Sequence, residues 1–408
     1  MDVFDPRVFA RGIPHDALRR LRDADPVSWQ DEHEVGSWPA GPGFHAVTRY
    51  DDVRRVLRTP QDFSSWLGAT QIRDPDPADL PFIRRMILNM DPPEQLRLRR
   101  LVTPAFTRRR LERFAGTVRD RARTLLEAVR GRPFDLAREV TDDLPLQNLA
   151  DLLGVPPADR GLLLEWTNRV IGYQDPEHAV PVHDAGGRPV NPRSPAQLAD
   201  MFGYARELTT RKRVEPADDV WTALVHAEVD GERLSPTELE MFFFLLVVAG
   251  NDTVRSALPG GVLLLAEHPD ADRRVRADPR LLPSAIEEML RLHPPVLTFR
   301  RTATRDVDLA GTRIARGDKV VVYHVSANVD ERHFADPFTF DPAREPNDHL
   351  AFGQGPHLCL GATFARMQML AFFAELLALP PVALHGTPRR LTSNFINGLT
   401  SLPLTWAR

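Results

Sequence analysis

The chain has 408 residues, 42% hydrophobic and 26% charged, which excludes disorder along its whole length. Its net charge of −4 argues against a surface built for nucleic acid. A single cysteine, Cys359, excludes a disulfide framework and fits a reducing cytoplasm.

Met1 to Asp16 carries no apolar core like that of a signal peptide. The longest apolar run, Met241 to Gly250, is half the roughly 20 residues that cross a bilayer. A soluble protein without a membrane anchor is expected. Only Asp175 to Pro195 has linker-like composition. It reads as a surface loop inside one domain spanning 1–408.

His15 to Ala24 predicts a helix and Gly43 to Thr48 a strand. Asp51 to Arg58 reads as a short helix with an acidic N-cap. Asp62 to Pro81 is a long, turn-rich loop, a length associated with function or mobility. Helical spacing then recurs over Pro93 to Leu101, Thr107 to Val129, Leu136 to Leu153, Pro157 to Val170 and Ala196 to Arg213. Ser235 to His268 is the longest helical signal, with a break expected near Pro259. Ser284 to Leu292 is another helix, ended by Pro294 and Pro295. Strand-like runs follow at Val307–Leu309 and Val320–Tyr323. Leu360 to Leu379 is the last long helix, and Asn394 to Trp406 reads as short strands and turns. The sum is mainly α with a minor β region.

Chemistry concentrates in F-G-Q-G-P-H-L-C-L-G, Phe352 to Gly361. Gly353 and Gly355 permit a tight fold, and Pro356 stiffens it. Cys359 falls at the mouth of a helix, where backbone amides favour a thiolate and lower its pKa. Leu358 and Leu360 are placed to shield the sulfur. Such a sulfur is a nucleophile, a redox sensor or a metal ligand. Zinc fits poorly, because there is no second cysteine and no His pair at ligand spacing. No histidine stands out as the base of a cysteine protease.

This run resembles the haem-binding signature of cytochrome P450 enzymes, with every usual fixed position filled. The resemblance extends from about Asp16 to Pro403 and implies the cytochrome P450 fold. Haem b would lie between the long central helix and the cysteine loop with its final helix. Cys359 would be the metal ligand, a thiolate that favours O–O cleavage. Phe352, Gly353 and Gly361 of the same loop would be cofactor-binding residues as well. Arg99, Arg301 and His357 match positions that hold the haem propionates. Gln95 stands where bacterial members most often have His, so that propionate is expected to be held less firmly.

Two further stretches fit. A-I-E-E-M-L-R-L-H-P-P resembles the family's E-x-x-R helix, and implies a structural triad of Glu288, Arg291 and Arg344 beneath the haem. L-L-V-V-A-G-N-D-T, Leu245 to Thr253, resembles the oxygen-binding motif. The plain reading of Asp252 and Thr253 is as caps at a helix end, but the apolar pattern continues past them. A mid-helix distortion is therefore expected. The resemblance implies that Gly250 makes room for dioxygen, Thr253 hydrogen-bonds it and Asp252 delivers protons. Val254 replaces the Thr or Ser of many members.

The implied activity is hydroxylation of a lipophilic small molecule with O2 as co-substrate. NAD(P)H would serve only indirectly, through ferredoxin and ferredoxin reductase. By position in the family pattern, Trp66, Leu67, Val248, Ala249, Leu297, Phe299 and Ile396 would line the substrate pocket. F-S-S-W, M-I-L-N-M-D-P-P-E and A-G-N-D-T-V-R look like actinobacterial members that oxidise sterols, terpenoids and branched lipids, and related sequences tailor antibiotics in secondary metabolism. Oxidative C–C or C–N coupling is one alternative, and a non-catalytic haem-thiolate sensor is another. Thr107 to Arg113, with Arg97, Arg100 and Arg366, reads either as a basic face for an acidic partner or as a solvated helix face.

Overall fold

The computed structural model describes residues 2–35, 39–171 and 194–407. Residues 175–193 of the expected surface loop lie outside the described residues. Among the described residues the architecture is mainly helical, with one five-stranded sheet and four small ones.

Helix His15–Ala24 forms where its apolar spacing places it. Its buried Arg22 reaches Glu331 at 2.8 Å and Ser326 Oγ at 3.0 Å. The five-stranded sheet runs Val27–Gln30, Phe44–Val47, Lys319–Tyr323, Thr298–Ala303, Phe63–Ser64. All its pairings are antiparallel except that of Phe44–Val47 with Lys319–Tyr323. Thr298–Ala303 is a strand that sequence pattern hides, because Arg300 and Arg301 interrupt its apolar alternation. Both arginines are nevertheless buried.

Several helical expectations need adjustment. The short helix is Tyr50–Arg58, and its N-cap is Arg49 with no side-chain cap bond, not an aspartate. Thr107 to Val129 divides into Arg108–Leu111, a 3₁₀ turn Glu112–Phe114 and Ala115–Ala128. Leu136 to Leu153 divides into a π turn, Ala137–Thr141, and a helix Leu144–Leu153 with Pro145 in its first turn.

The central helix, Pro236–Glu267, starts at a reciprocal capping box of Ser235 and Glu238. It runs unbroken through Pro259, against expectation. The lost hydrogen bond is outweighed by burial, since residues 256–263 are all buried. Glycines next to the proline let two helices close on it. A Cβ at Gly260 would lie 2.1 Å from His293, at the end of helix Leu282–Leu292. A Cβ at Gly261 would lie 2.6 Å from Phe373 on helix Ala362–Leu377. The distortion expected around Gly250 is absent too. Thr253 Oγ1 donates to the Ala249 carbonyl at 2.9 Å, so its hydroxyl is satisfied inside a regular helix. Among the described residues this helix alone is long and apolar enough to cross a membrane, and it is mostly buried in the protein.

Candidate active site

A cavity of about 390 Å³ separates the central helix from the cysteine loop. The loop folds as its glycines predict. Gly353 and Gly355 have φ of 69° and 73°, and a Cβ on Gly355 would press to 2.5 Å from the Leu57 carbonyl oxygen. The Cys359 N–H donates to the Phe352 carbonyl at 2.9 Å. Gly361 is the N-cap of helix Ala362–Leu377, two residues later than expected. A Cβ on Gly361 would lie 3.9 Å from the Cys359 sulfur, an ordinary contact.

The backbone N–H groups of Gly361 and Ala362 serve the Cys359 sulfur, and Arg99 and Arg366 add positive charge. Burial among protein atoms is nevertheless the largest influence and raises the thiol pKa above its ordinary value. The expectation of a lowered pKa is therefore corrected for the free thiol. The shielding by leucines is only half realised: Leu358 is exposed, and Leu360 packs partly against the helical core. Cys359 itself is accessible, and the surface it presents belongs to the cavity wall. A sulfur walled by protein, supplied with donors and cations, and open to one cavity is suited to bind a metal as thiolate.

Cationic groups stand around the same cavity. Arg301 is 3% exposed, and burial lowers its pKa to about 10. Its one hydrogen bond among the described residues goes to the Arg300 carbonyl at 2.8 Å, and Asp91 is its charged neighbour. Arg99 is half-buried and has no carboxylate bonded to it among the described residues. Buried guanidinium groups without a bound carboxylate favour an anionic ligand. His357 sits beside them, with Nε2 3.3 Å from Ser65 Oγ. Burial, then Arg301 and Arg99, lower its pKa to about 3, so it is neutral near pH 7. It can donate a hydrogen bond there but does not carry charge.

Gln95, expected to hold a propionate less firmly than His would, stands on the wall of the same cavity. Its Nε2 donates to the Pro356 carbonyl at 2.7 Å, which ties helix Glu94–Val102 to the cysteine loop. Its buried Oε1 has no partner among the described residues. This residue braces the loop from the cavity wall.

Across the cavity, Gly250, Asp252 and Thr253 line the central helix. A Cβ at Gly250 would come within 3.0 Å of Leu149. Asp252 is 5% exposed, and burial raises its pKa to about 7. That places its proton exchange at working pH.

Val248, Ala249, Phe299 and Ile396 also line the cavity. Trp66, Leu67 and Leu297 do not, which corrects three expected pocket residues. Arg84 holds the first two at the surface, donating to the carbonyls of Trp66 at 2.7 Å and Leu67 at 3.0 Å. Its guanidinium also lies 5.1 Å from the Trp66 ring centre. Leu297 is consumed by the core beneath the sheet, with Phe44 and Val321. In their place the loop and the turns after it contribute Ala69, Thr70, Phe82, Ile83, Met86 and Ile87. The length of that loop was the one signal that could have found them.

The structure brings Glu288, Arg291 and Arg344 together away from the cavity. Arg291 and Glu288 pair at 2.7 Å, and Arg344 Nε reaches Glu288 at 2.9 Å. Asn347 adds a bond of 3.1 Å to the same carboxylate.

Comparison with known proteins agrees with this arrangement. Residues 194–379 match the family model described as Cytochrome P450. The chain is 42% identical to a "Methyl-branched lipid omega-hydroxylase" of Mycobacterium tuberculosis, over 96% of this chain and 90% of the relative. It is 38% identical to a "Steroid C26-monooxygenase" of Mycobacterium bovis, over 98% of this chain and 90% of the relative. Among solved structures, the P450 CYP108D1 of Novosphingobium aromaticivorans matches with a TM-score of 0.86 at 31% identity, covering 99% of this chain and 97% of that one. A Mycobacterium marinum cytochrome P450, CYP268A2, solved with pseudoionone, matches with a TM-score of 0.85 at 35% identity, covering 98% and 97%. The protein is therefore an oxidoreductase that uses haem and O2, with electrons passed on by redox partners. Full-length identity at this level, on a fold that presents one sulfur to a cavity also lined by Arg99 and the buried Arg301, shows that the chain belongs to the cytochrome P450 family.

Proposed function

We propose that this monooxygenase hydroxylates a lipophilic small molecule held in the cavity between Cys359 and the central helix. The observation that carries this reading is the shared cavity. Cys359, the buried acid Asp252 and apolar side chains such as Val248, Phe299 and Ile396 all line it. Relatives named for methyl-branched lipids and for steroids support the substrate class.

Haem, when bound, supplies the activation of oxygen. The protein's residues do the rest. Cys359 would hold the iron through its thiolate. Arg99, Arg301 and His357 would hold the propionates, with Gln95 bracing the loop. Thr253 carries a hydroxyl one residue from Asp252. It would orient oxygen, while Asp252 gives protons to the cavity side. The apolar wall excludes water and turns the substrate's hydrocarbon toward the reacting oxygen.

Electrons would come from an acidic partner such as a ferredoxin. Much of the expected basic face is paired internally: Arg108 with Glu112 at 2.6 Å, Arg366 with Glu287 at 2.7 Å, and Arg113 with Asp218. Arg109 and Arg110 are exposed, with no ion pair among the described residues. They are the charges most available to a partner. A cytoplasmic location accords with the one free thiol and the buried apolar helix.

The test is reconstitution with a ferredoxin and its reductase, offering steroids and methyl-branched fatty acids. Substrate-dependent NADPH use with a product one oxygen heavier is expected. Binding without turnover for every ligand that shifts the haem spectrum would instead favour the sensor reading.

A further inference from the structure

Thr70 and Asn89 are buried polar residues on the loop side of the cavity wall. The same stretch of wall is apolar at Ala69, Ile83, Met86 and Ile87. The Thr70 hydroxyl donates to Asn89 Oδ1 at 2.9 Å. Asn89 closes the 3₁₀ turn Ile87–Asn89, and its Nδ2 donates to the Ile83 carbonyl at 3.0 Å. The Thr70 carbonyl accepts the Arg300 N–H at 2.9 Å, which pins the loop to strand Thr298–Ala303. The pair is thus held from both sides before any ligand arrives. Neither residue has a role in the chemistry described above. A few fixed polar groups in an apolar wall are what orient a lipophilic ligand.

The hydrogen-bond inventory says which group the pair suits. A hydroxyl has one proton and two lone pairs. Thr70 commits its proton to Asn89, so its oxygen keeps acceptor capacity only. Asn89 Nδ2 has two N–H groups and commits one to Ile83. A ligand group that both donates and accepts matches what is left. An alcohol does both. A ketone only accepts and leaves the Thr70 oxygen unpaired.

The charges on the same loop disfavour an anionic group. Asp74 also lines the cavity, with its carboxylate held by Arg300 Nη1 at 2.6 Å and Lys319 Nζ at 2.7 Å. Arg73 lines the cavity too, but its Nη1 donates to the Pro39 carbonyl at 2.7 Å and its guanidinium lies 5.3 Å from the Phe4 ring centre. The carboxylate that belongs to this part of the wall is the protein's own.

We propose that Thr70 and Asn89 form a hydroxyl-binding subsite, so that the substrate is a lipophilic alcohol. Its O–H donates to Thr70 Oγ1, and its oxygen accepts from Asn89 Nδ2. The inference rests on the proposed function, because it names the substrate class of that same cavity.

Spectral dissociation constants of the ferric holoenzyme test it. The probes are matched in skeleton: cholestanol against cholestanone, and phytanol against phytanic acid. The alcohol should bind more tightly in each pair. Over the ketone the margin should be about 5- to 150-fold, the range for one buried polar group left unpaired. Thr70→Val removes the oxygen at nearly constant volume and should bring the constants for alcohol and ketone together. Thr70→Ser keeps the hydroxyl and should keep the preference. The wild-type pairs decide the matter if Thr70→Val does not fold. Equal constants within each pair, tighter binding of the ketone or the acid, or a preference unchanged in Thr70→Val would overturn the proposal. A haem spectrum that responds to neither skeleton would count against the lipophilic-substrate reading itself, a separate failure.

Discussion

Glu288 and Arg291 form an ion pair whose side chains are both 0% exposed, with Arg291 Nη2 on Oε1 at 2.8 Å and Nε on Oε2 at 2.7 Å. Arg291 Nη1 also donates to the carbonyls of Asn328 at 2.8 Å and Pro337 at 2.7 Å. The pair therefore fastens helix Leu282–Leu292 to the long connection that leads into the cysteine loop.

Glu288→Ala leaves that guanidinium buried without its carboxylate. The cost is about 3–5 kcal/mol, enough to deplete folded protein. Thermal unfolding and the yield of haem-loaded protein measure it. A loss under about 1 kcal/mol, the range of a surface pair, would contradict the arrangement.

Haem retention should depend on Arg301 and Arg99. A hydrogen bond to a charged group contributes about 1.5–3 kcal/mol, so Arg301→Leu should speed haem loss by roughly 10- to 150-fold. The same change removes a buried charge that no carboxylate bonds directly. Apoprotein stability should therefore not fall in parallel. Haem transfer to an acceptor globin and unfolding of the apoprotein separate the two effects.

Val248 and Leu297 should behave oppositely. Val248→Trp fills part of the cavity and should change which substrates bind, read as altered spectral dissociation constants. Leu297→Ala should cost about 2–5 kcal/mol of stability as a core truncation while leaving substrate preference unchanged. A changed substrate profile in Leu297→Ala would restore that residue to the pocket.

Asp252 makes stability depend on pH. Its folded pKa of about 7 lies above the ordinary 3.8, so the native state holds a proton that the unfolded state has released. Stability falls as pH rises through that window, at about 1.4 kcal/mol per unit. Asp252→Asn should abolish this slope, becoming the more stable protein above neutrality and matching the wild type below pH 3.8. Melting temperatures of the two holoenzymes across pH test it, and parallel curves would contradict the burial of a protonated acid.

What was legible in the sequence was legible for local reasons. Glycine spacing and a helix start are short-range features, so the cysteine loop could be read from ten residues. The apolar period of His15–Ala24 likewise matched its helix end to end. Long-range packing hid the rest. Pro259 does not break its helix because neighbouring helices close on Gly260 and Gly261. Thr298–Ala303 buries two arginines that a strand pattern would place outside. Trp66 and Leu67 look like pocket residues until Arg84, just past the loop, holds their carbonyls at the surface.

The carbon monoxide difference spectrum of the reduced protein tests the central claim most directly, because it reports which kind of side chain would hold the iron. With Cys359 as a thiolate ligand, the Soret band should move to the long wavelength that distinguishes thiolate-ligated haem, and Cys359→His should abolish that band while haem remains bound. A wild-type protein that binds haem but keeps the shorter-wavelength band of an imidazole-ligated iron would show that Cys359 does not hold the metal.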